Sequence, residues 1–215
     1  MSAISEKFQS LREEVDRLFG RPGAVTIVGV TKFQSMEKVQ DAIAGGLRDL
    51  GNNYAQEGEA LMEAIGNGAL NWHFIGHIQS RKAKFLTRYQ CVQSLDRIEI
   101  AQALDRRMTE IATPLNVLVE INIGGEAQKS GIAPEALPAF LEFVKSSPHL
   151  RVRGLMAMPP PVENRAPYFK RLRKLFESHP TFDCLSMGTS EDYRVAVSEG
   201  ATMIRLGTTL FGSRA

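Results

Sequence analysis

Eight short apolar segments, each followed by a stretch with helical periodicity, occupy the sequence from residue 25 onward. They are Val25–Thr31, Leu47–Gly51, Trp72–Gly76, Tyr89–Leu95, Leu115–Ile123, Val152–Met158, Cys184–Gly188 and Thr202–Leu206. Apolar strands that alternate with helices predict a parallel sheet covered by helices, and eight such steps are the number that closes a barrel. We therefore predict an α/β fold, a single (β/α)8 TIM barrel over residues 1–215, with an open doubly wound sheet as the alternative.

An amphipathic helix is predicted before the first of these strands. Apolar residues recur at four- and three-residue spacing between Ile4 and Leu18, which indicates a helix over residues 4–19. After the eighth strand only residues 207–215 remain, too few for a full outer helix, so we expect the N-terminal helix to pack in the closing position of the barrel. The Pro159–Pro161 run is predicted to be a loop, and Glu191–Ser198 a helix.

Composition excludes several classes of function. The formal net charge of +2 over 215 residues gives no bulk argument for nucleic-acid binding. No apolar run approaches transmembrane length, and the first residues lack the apolar core of a signal peptide. Cys91 and Cys184 lie in apolar segments without a CxxC spacing, as expected for two reduced thiols. We expect a cytoplasmic monomer that binds neither membrane nor nucleic acid.

Lys32 follows the first apolar strand directly and is a candidate amine nucleophile. TIM barrels place function at the carboxyl ends of their strands, and a phosphate site often forms from the loops after strands seven and eight. Here those loops carry Ser190, Gly207 and Thr208, which offer hydroxyls and close backbone approach, and Arg205 would face the same opening. An amine beside an anion site suits a phosphorylated aldehyde held as a Schiff base. On these segments alone a paired or solvated lysine, and an N-cap role for the serine, remain open.

Two other groups of side chains are not taken as sites. His73 and His77 are four residues apart, but on a strand that spacing spans roughly 13 Å, too far for one metal ion. Glu191 and Asp192 are expected in the first turn of a helix, where acidic residues favour the helix dipole. We therefore predict no metal site.

A set of short segments stands in a recognisable order along most of the chain. The segments are Gly-Val-Thr-Lys32, Gly51-Asn-Asn-Tyr-Ala-Gln-Glu57, Trp72-His-Phe-Ile-Gly-His-Ile-Gln79, Ser94-Leu-Asp-Arg97, Lys129-Ser-Gly131, Gly154-Leu-Met-Ala-Met158, Leu185-Ser-Met-Gly188 and Arg205-Leu-Gly-Thr-Thr-Leu-Phe-Gly212. Together they resemble the pyridoxal phosphate homeostasis protein family, over about residues 25 to 214. That family has the fold of the alanine racemase N-terminal barrel.

The resemblance implies a cofactor, pyridoxal 5'-phosphate (PLP), held covalently. Lys32 matches the lysine that forms the Schiff base in the family. The phosphate cradle that the resemblance implies consists of Gly188, Thr189, Ser190, Gly207 and Thr208.

The resemblance also assigns residues to the pyridine ring. Arg205 matches an arginine that faces the ring nitrogen, and Asn53 matches an asparagine near the ring. The family motif has a glutamate where this chain has Asn52, and Phe33-Gln34 also differs from the usual residues after the lysine. We do not carry over a role for the charge of that glutamate, and we expect the Phe33-Gln34 difference to alter the mouth of the cleft.

The implied function is a carrier of PLP in vitamin B6 homeostasis, with little or no turnover and with no catalytic residues assigned. Arginine favours an unprotonated ring nitrogen, which makes the ring a weaker electron sink. Racemisation needs a second acid or base on the opposite face, which in the racemase is a tyrosine from a β-rich domain that we do not expect here. Apo PLP-dependent enzymes are candidate recipients. The alternatives are a PLP-dependent racemase or lyase, and a Schiff-base aldolase without a cofactor.

Overall fold

Eight parallel strands form one closed barrel in sequence order, in a computed structural model that describes residues 2–66 and 68–212. The strands are β1 (Thr26–Val30), β2 (Asp49–Asn52), β3 (Asn71–Phe74), β4 (Cys91–Leu95), β5 (Leu115–Glu120), β6 (Leu150–Met156), β7 (Cys184–Thr189) and β8 (Met203–Leu206). The helices are α1 (Ala3–Phe19), α2 (Met36–Ala44), α3 (Ala55–Ile65), α4 (Ile98–Ile111), α5 (Leu137–Val144), α6 (Ala166–Glu177), α7 (Tyr193–Ser198) and α8 (Thr208–Phe211), with 3-10 helices at Ser80–Arg88 and Pro134–Ala136.

Pairing between the first and last strands closes the barrel. Thr26 pairs with Met203 and Val28 pairs with Arg205, in parallel register. An open doubly wound sheet would leave these two strands unpaired at opposite edges or separated by others. The predicted (β/α)8 barrel is therefore confirmed, and the open-sheet alternative is wrong.

Several strands are shorter than the apolar segments that predicted them. Tyr89 precedes β4, and Ile121 and Ile123 follow β5, yet all three side chains are buried. Tyr89 packs edge-on against the Phe74 ring of β3, and Ile121 forms an isolated bridge with Ile132, so burial of apolar side chains continues past the hydrogen-bonded ladder. For the same reason apolar pattern alone places strand ends only to within two or three residues.

Helix α1 occupies the closing position, as predicted. Ser2 caps its first turn by accepting a hydrogen bond from the Ser5 amide, and Gly20 ends it in the left-handed conformation with φ of 78°. Its buried face, which includes Leu11 and Val15, packs toward α2, α7 and α8. Because α8 has only four residues, α1 supplies the cover that a full eighth outer helix would give.

The inside of the barrel holds both apolar and polar side chains. Cys91, Leu118, Met156 and Cys184 form a small apolar cluster, and neither cysteine is in a disulfide. Burial raises the pKa of the Cys184 thiol to about 12, which keeps it in the unreactive protonated form. No helix in residues 2–66 and 68–212 is long and apolar enough to cross a bilayer.

Candidate functional site

A cleft of about 340 Å³ opens at the carboxyl end of the barrel, between the loops that follow β1, β7 and β8. Of the eight residues predicted from the sequence, seven line it: Lys32, Asn53, Thr189, Ser190, Arg205, Gly207 and Thr208. Gly188 lies beneath it. Gln34, which the sequence placed at the mouth of the cleft, and Glu191, which it set aside, also line it, as do Val30, Ile75 and Met158, which were not singled out.

Lys32 lies two residues beyond the end of β1 and is half-buried. Its Nζ is 4.9 Å from the centroid of the Phe33 ring and 4.8 Å from that of the Tyr54 ring. Phe33 takes a φ of 59°, which is uncommon for a residue with a side chain. The two rings thus form an aromatic clamp on the ammonium at the rim of the cleft, worth about 0.5–1 kcal/mol for such an exposed pair.

Asn52 fixes the backbone that presents Lys32. Its Nδ2 donates a hydrogen bond of 2.7 Å to the Thr31 hydroxyl, which itself donates to the Gly51 carbonyl at 3.2 Å. Both side chains are buried. The residue that departs from the family motif therefore has a structural partner immediately before the lysine.

Ser190 joins the two loops that were predicted to bind phosphate. Its Oγ accepts hydrogen bonds from the amides of Gly207 and Thr209, each at 3.1 Å, and the Thr209 hydroxyl donates to the Ser190 carbonyl at 3.0 Å. Both lone pairs of the serine hydroxyl are used, so its hydrogen is free to donate into the cleft. Thr209 was missed from the sequence, although it follows Thr208 directly.

Helix α7 begins later than predicted, which corrects two interpretations. Asp192 Oδ1 accepts hydrogen bonds from the Thr189 amide at 2.6 Å and the Thr189 hydroxyl at 3.0 Å. These bonds hold 189–192 in a turn, so the helix starts at Tyr193 and Ser190 is not its N-cap. Glu191 and Asp192 do not lie in a first helical turn; both instead pair with Arg165, at 2.8 Å. An anion would have to compete with Asp192 for the Thr189 amide.

Gly188 supports the cleft from below. Its φ is 95°, and a Cβ at this position would lie 2.6 Å from the Cβ of Ala196 in α7. The glycine therefore lets the end of β7 pack closely on that helix.

Arg205 lies at the base of the cleft with its side chain buried. Its Nη1 donates to the Ser186 hydroxyl at 2.5 Å and its Nη2 to the Ala157 carbonyl at 3.1 Å. Burial lowers the pKa of the guanidinium to about 10, partly offset by the nearby Glu120 and Asp192 carboxylates. A guanidinium has five N–H donors, so donors remain for a ligand in the cleft.

Asn53 presents an unused acceptor. Its Oδ1 is buried and has no hydrogen-bond partner among the described residues. The amide lines both this cleft and a second one of about 390 Å³ on the other side of Lys32, which lacks the loops after β7 and β8. A buried unpaired amide oxygen is uncommon in a folded protein and indicates a place for a donor from outside the chain.

The histidines that the sequence analysis excluded as a metal site make separate hydrogen bonds in the structure. His73 contacts Gln93 and Asp49 inside the barrel, whereas His77 contacts Ser130 and Arg97 outside it. No group of metal-ligating side chains suitable for an ion was found within residues 2–66 and 68–212. A larger cavity, about 550 Å³, lies at the amino end of the barrel and contains none of the predicted site residues.

Comparison with known proteins places this geometry in a family. The alanine racemase N-terminal domain model matches residues 2–215. A pyridoxal phosphate homeostasis protein of Pseudomonas aeruginosa is 44% identical over 223 residues, covering 100% of this chain and 97% of the relative. The structure of PipY from Synechococcus elongatus with PLP bound superposes with a TM-score of 0.85 at 30% identity, covering 97% of this chain and 100% of that one. Alanine racemase from Corynebacterium glutamicum, at 16% identity and a TM-score of 0.75 over 99% of this chain and 61% of that one, shares the fold. The chain belongs to the pyridoxal phosphate homeostasis protein family, on the barrel of the alanine racemase N-terminal domain.

Proposed function

We propose that this protein holds PLP as a Schiff base on Lys32 and keeps it available to other proteins, with little or no turnover of its own. The observation that carries the proposal is the convergence of Lys32, Ser190 and Arg205 on one cleft. When bound, PLP supplies an aldehyde that condenses with a primary amine. The relative from Pseudomonas aeruginosa bears the name pyridoxal phosphate homeostasis protein, and the PipY structure contains PLP.

The donors in the cleft fit the two polar ends of the cofactor. The Ser190 hydroxyl and the exposed Thr208 hydroxyl can donate to a phosphate, and their loops are already joined by the bonds to Gly207 and Thr209. The unused N–H groups of Arg205 can donate to an unprotonated ring nitrogen, since a guanidinium does not give up its proton at neutral pH. Asn53 offers an unpaired amide oxygen at the side of the ring.

Little or no turnover is supported by the residues that surround the cleft. No tyrosine is among the described side chains that line it. Tyr54 lies on the same rim as Lys32, whereas Tyr193 is buried and donates its hydroxyl hydrogen to Glu14. A racemase needs an acid or base on each face of the substrate carbon. In this cleft Lys32 supplies an amine, and the Glu191 carboxylate that also lines it is paired with Arg165 at 2.8 Å.

A direct test is a titration of the purified protein with PLP, followed by visible absorption. We expect a visible band for wild type and for Lys38→Ala, whose ammonium bonds the Phe211 carbonyl away from the cleft, and none for Lys32→Ala. Steady racemisation of common L-amino acids above the Lys32→Ala level would favour the racemase alternative. Absence of a band, together with Lys32-dependent cleavage of a sugar phosphate, would favour the aldolase.

We further propose a cytoplasmic location, with PLP and, transiently, apo PLP-dependent enzymes as partners. The two unpaired cysteines are consistent with a reducing compartment. Apolar side chains on the rim, Phe33, Tyr54 and Met158, are 59%, 46% and 52% exposed and leave the mouth open to a recipient. Handover is tested by mixing loaded protein with an apo-enzyme, and activation no faster than free release of PLP would reject it.

A further inference from the structure

A line of hydrogen bonds runs through the inside of the barrel from Arg205 to its opposite end. Arg205 Nη1 donates to Ser186 Oγ at 2.5 Å, and Ser186 Oγ donates to Gln93 Oε1 at 2.6 Å. Gln93 Nε2 contacts His73 Nδ1 at 3.0 Å, and His73 Nε2 contacts Asp49 Oδ1 at 3.0 Å. We call these five residues the interior network.

The direction of every bond in the interior network follows from its first member. Arginine can only donate, so the Ser186 oxygen accepts and its hydrogen points to the Gln93 carbonyl. The Gln93 amide nitrogen is then the donor to His73, whose Nδ1 must accept. The hydrogen of the imidazole therefore lies on Nε2 and points to the Asp49 carboxylate.

The inner residues of the interior network, Ser186, Gln93 and His73, are buried, so the loss of any one of their hydrogen bonds would leave a polar atom without a partner. Ser186 and Gln93 are completely buried, and His73 is 5% exposed. A buried amide or hydroxyl without a partner costs about 1–3 kcal/mol, so each link holds its neighbour in one orientation. Among the described residues, the Ser186 hydroxyl and the Ala157 carbonyl accept hydrogen bonds from Arg205 and fix the plane of its guanidinium.

We propose that Gln93 is a positioning residue that acts through Ser186 to set the orientation of the Arg205 guanidinium toward the bound cofactor ring. The inference rests on the proposed function, in which Arg205 faces PLP. Gln93 is not among the described residues that line the cleft; its side chain bonds Ser186, His73 and the Met203 sulfur, so it reaches Arg205 through the serine.

The geometry of the interior network is tested first in the protein without PLP. A long-range ¹H–¹⁵N NMR spectrum, with His73 assigned by comparison with His73→Gln, should show a neutral imidazole protonated on Nε2 and accepting a hydrogen bond at Nδ1. In Gln93→Leu the Nδ1 shift should move to that of an unbonded nitrogen. A wild-type imidazole protonated on Nδ1 would overturn the proposal.

The positioning role is tested by loading variants with PLP. Gln93→Leu and Ser186→Ala should both shift the absorption maximum of bound PLP and raise its Kd by about fivefold to tenfold, the equivalent of one lost hydrogen bond. Cys91→Ala is the matched control, because Cys91 precedes Gln93 by two residues on the same strand and lies in the interior apolar cluster. It should keep the wild-type absorption maximum and Kd.

The outcomes separate the two proposals. If wild type binds PLP on Lys32 and folded Gln93→Leu and Ser186→Ala keep the wild-type maximum and Kd, the positioning role is overturned and the proposed function stands. If one variant fails to fold, the other decides. A wild-type protein that binds no PLP overturns both.

Discussion

The hydroxyl of Ser190 accepts a hydrogen bond of 3.1 Å from the amide of Gly207, and so joins the loop after β7 to the loop after β8. It accepts a second bond from the Thr209 amide at the same distance. One side chain thereby holds both halves of the candidate phosphate cradle in register before any ligand binds. Preorganisation of this kind lowers the entropic cost of ordering the two loops when a ligand binds.

Replacing Ser190 by Ala should weaken PLP binding. The change removes one donor to the phosphate and leaves the Gly207 and Thr209 amides unpaired, so we expect the Kd to rise fivefold or more, the equivalent of about 1–3 kcal/mol. Equilibrium titration by visible absorption measures it. Ser178→Ala, which removes an exposed hydroxyl bonded to the Leu175 carbonyl, is the control and should bind as wild type. Equal Kd values for the two variants would contradict the cradle.

Replacing Tyr54 by Leu should strengthen PLP binding. The aromatic clamp of Phe33 and Tyr54 stabilises the free Lys32 ammonium, which must lose its charge before it can attack an aldehyde. Loss of one ring should lower the Kd by about twofold to fivefold, following the 0.5–1 kcal/mol of an exposed cation–π pair. Tyr54→Phe keeps the ring and should match wild type. If Tyr54→Phe behaves like Tyr54→Leu, the hydroxyl rather than the ring is responsible and the clamp is wrong.

Replacing Gly58 by Ala should destabilise the fold, although alanine is normally the better residue within a helix. A Cβ on Gly58 would overlap the Tyr89 hydroxyl and come within 3.0 Å of Asn52 Oδ1. We expect a loss of about 1–3 kcal/mol in the free energy of unfolding, measured by urea titration. Adding Tyr89→Phe removes the overlapping oxygen and should restore most of that loss. A double variant as unstable as Gly58→Ala would show that the clash lies elsewhere.

Replacing Glu120 by Gln should stabilise the fold at pH 8 but not at pH 4. Burial and the nearby Asp96 carboxylate raise the pKa of Glu120 from 4.5 to about 7. Between those values the folded state binds more protons than the unfolded state, so this group lowers the stability of wild type as the pH rises from about 4.5 to 7. Glutamine carries no charge and should escape that loss. Urea titrations from pH 4 to pH 8 measure the difference in the free energy of unfolding between Glu120→Gln and wild type.

The control for this prediction is Glu142→Gln, because that carboxylate is exposed and pairs with Lys145 on the surface. Its stability relative to wild type should stay nearly constant over the same pH range. A Glu120→Gln difference that is equally flat would mean that the folded state does not hold this carboxyl protonated.

Sequence periodicity was sufficient for the barrel because each step of the fold repeats one local pattern. Strands buried on both faces are continuously apolar, and outer helices bury one stripe. The meeting of the loops after β7 and β8 could also be predicted from the sequence, because neighbouring parallel strands must bring their carboxyl ends together. Lys32 and Thr208 could therefore be assigned to one opening without coordinates.

The contacts that sequence could not supply are those between strands that are distant along the chain. Gln93 on β4 bonds Ser186 on β7 across the barrel interior, and no local spacing links them. The start of α7 was misplaced because Asp192 bonds backward to Thr189 instead of beginning the helix. Single side-chain bonds of this kind override intrinsic helix signals.

The most direct measurement is a mass-spectrometric map of the protein after loading with PLP and reduction with borohydride. Reduction makes an amine–aldehyde linkage permanent, so the modified peptide reports the residue that carried it. We predict a single stoichiometric adduct on Lys32, absent from Lys32→Ala and retained in Lys38→Ala. An unmodified Lys32, with label on other lysines or none, would contradict the assignment of this cleft as the PLP site.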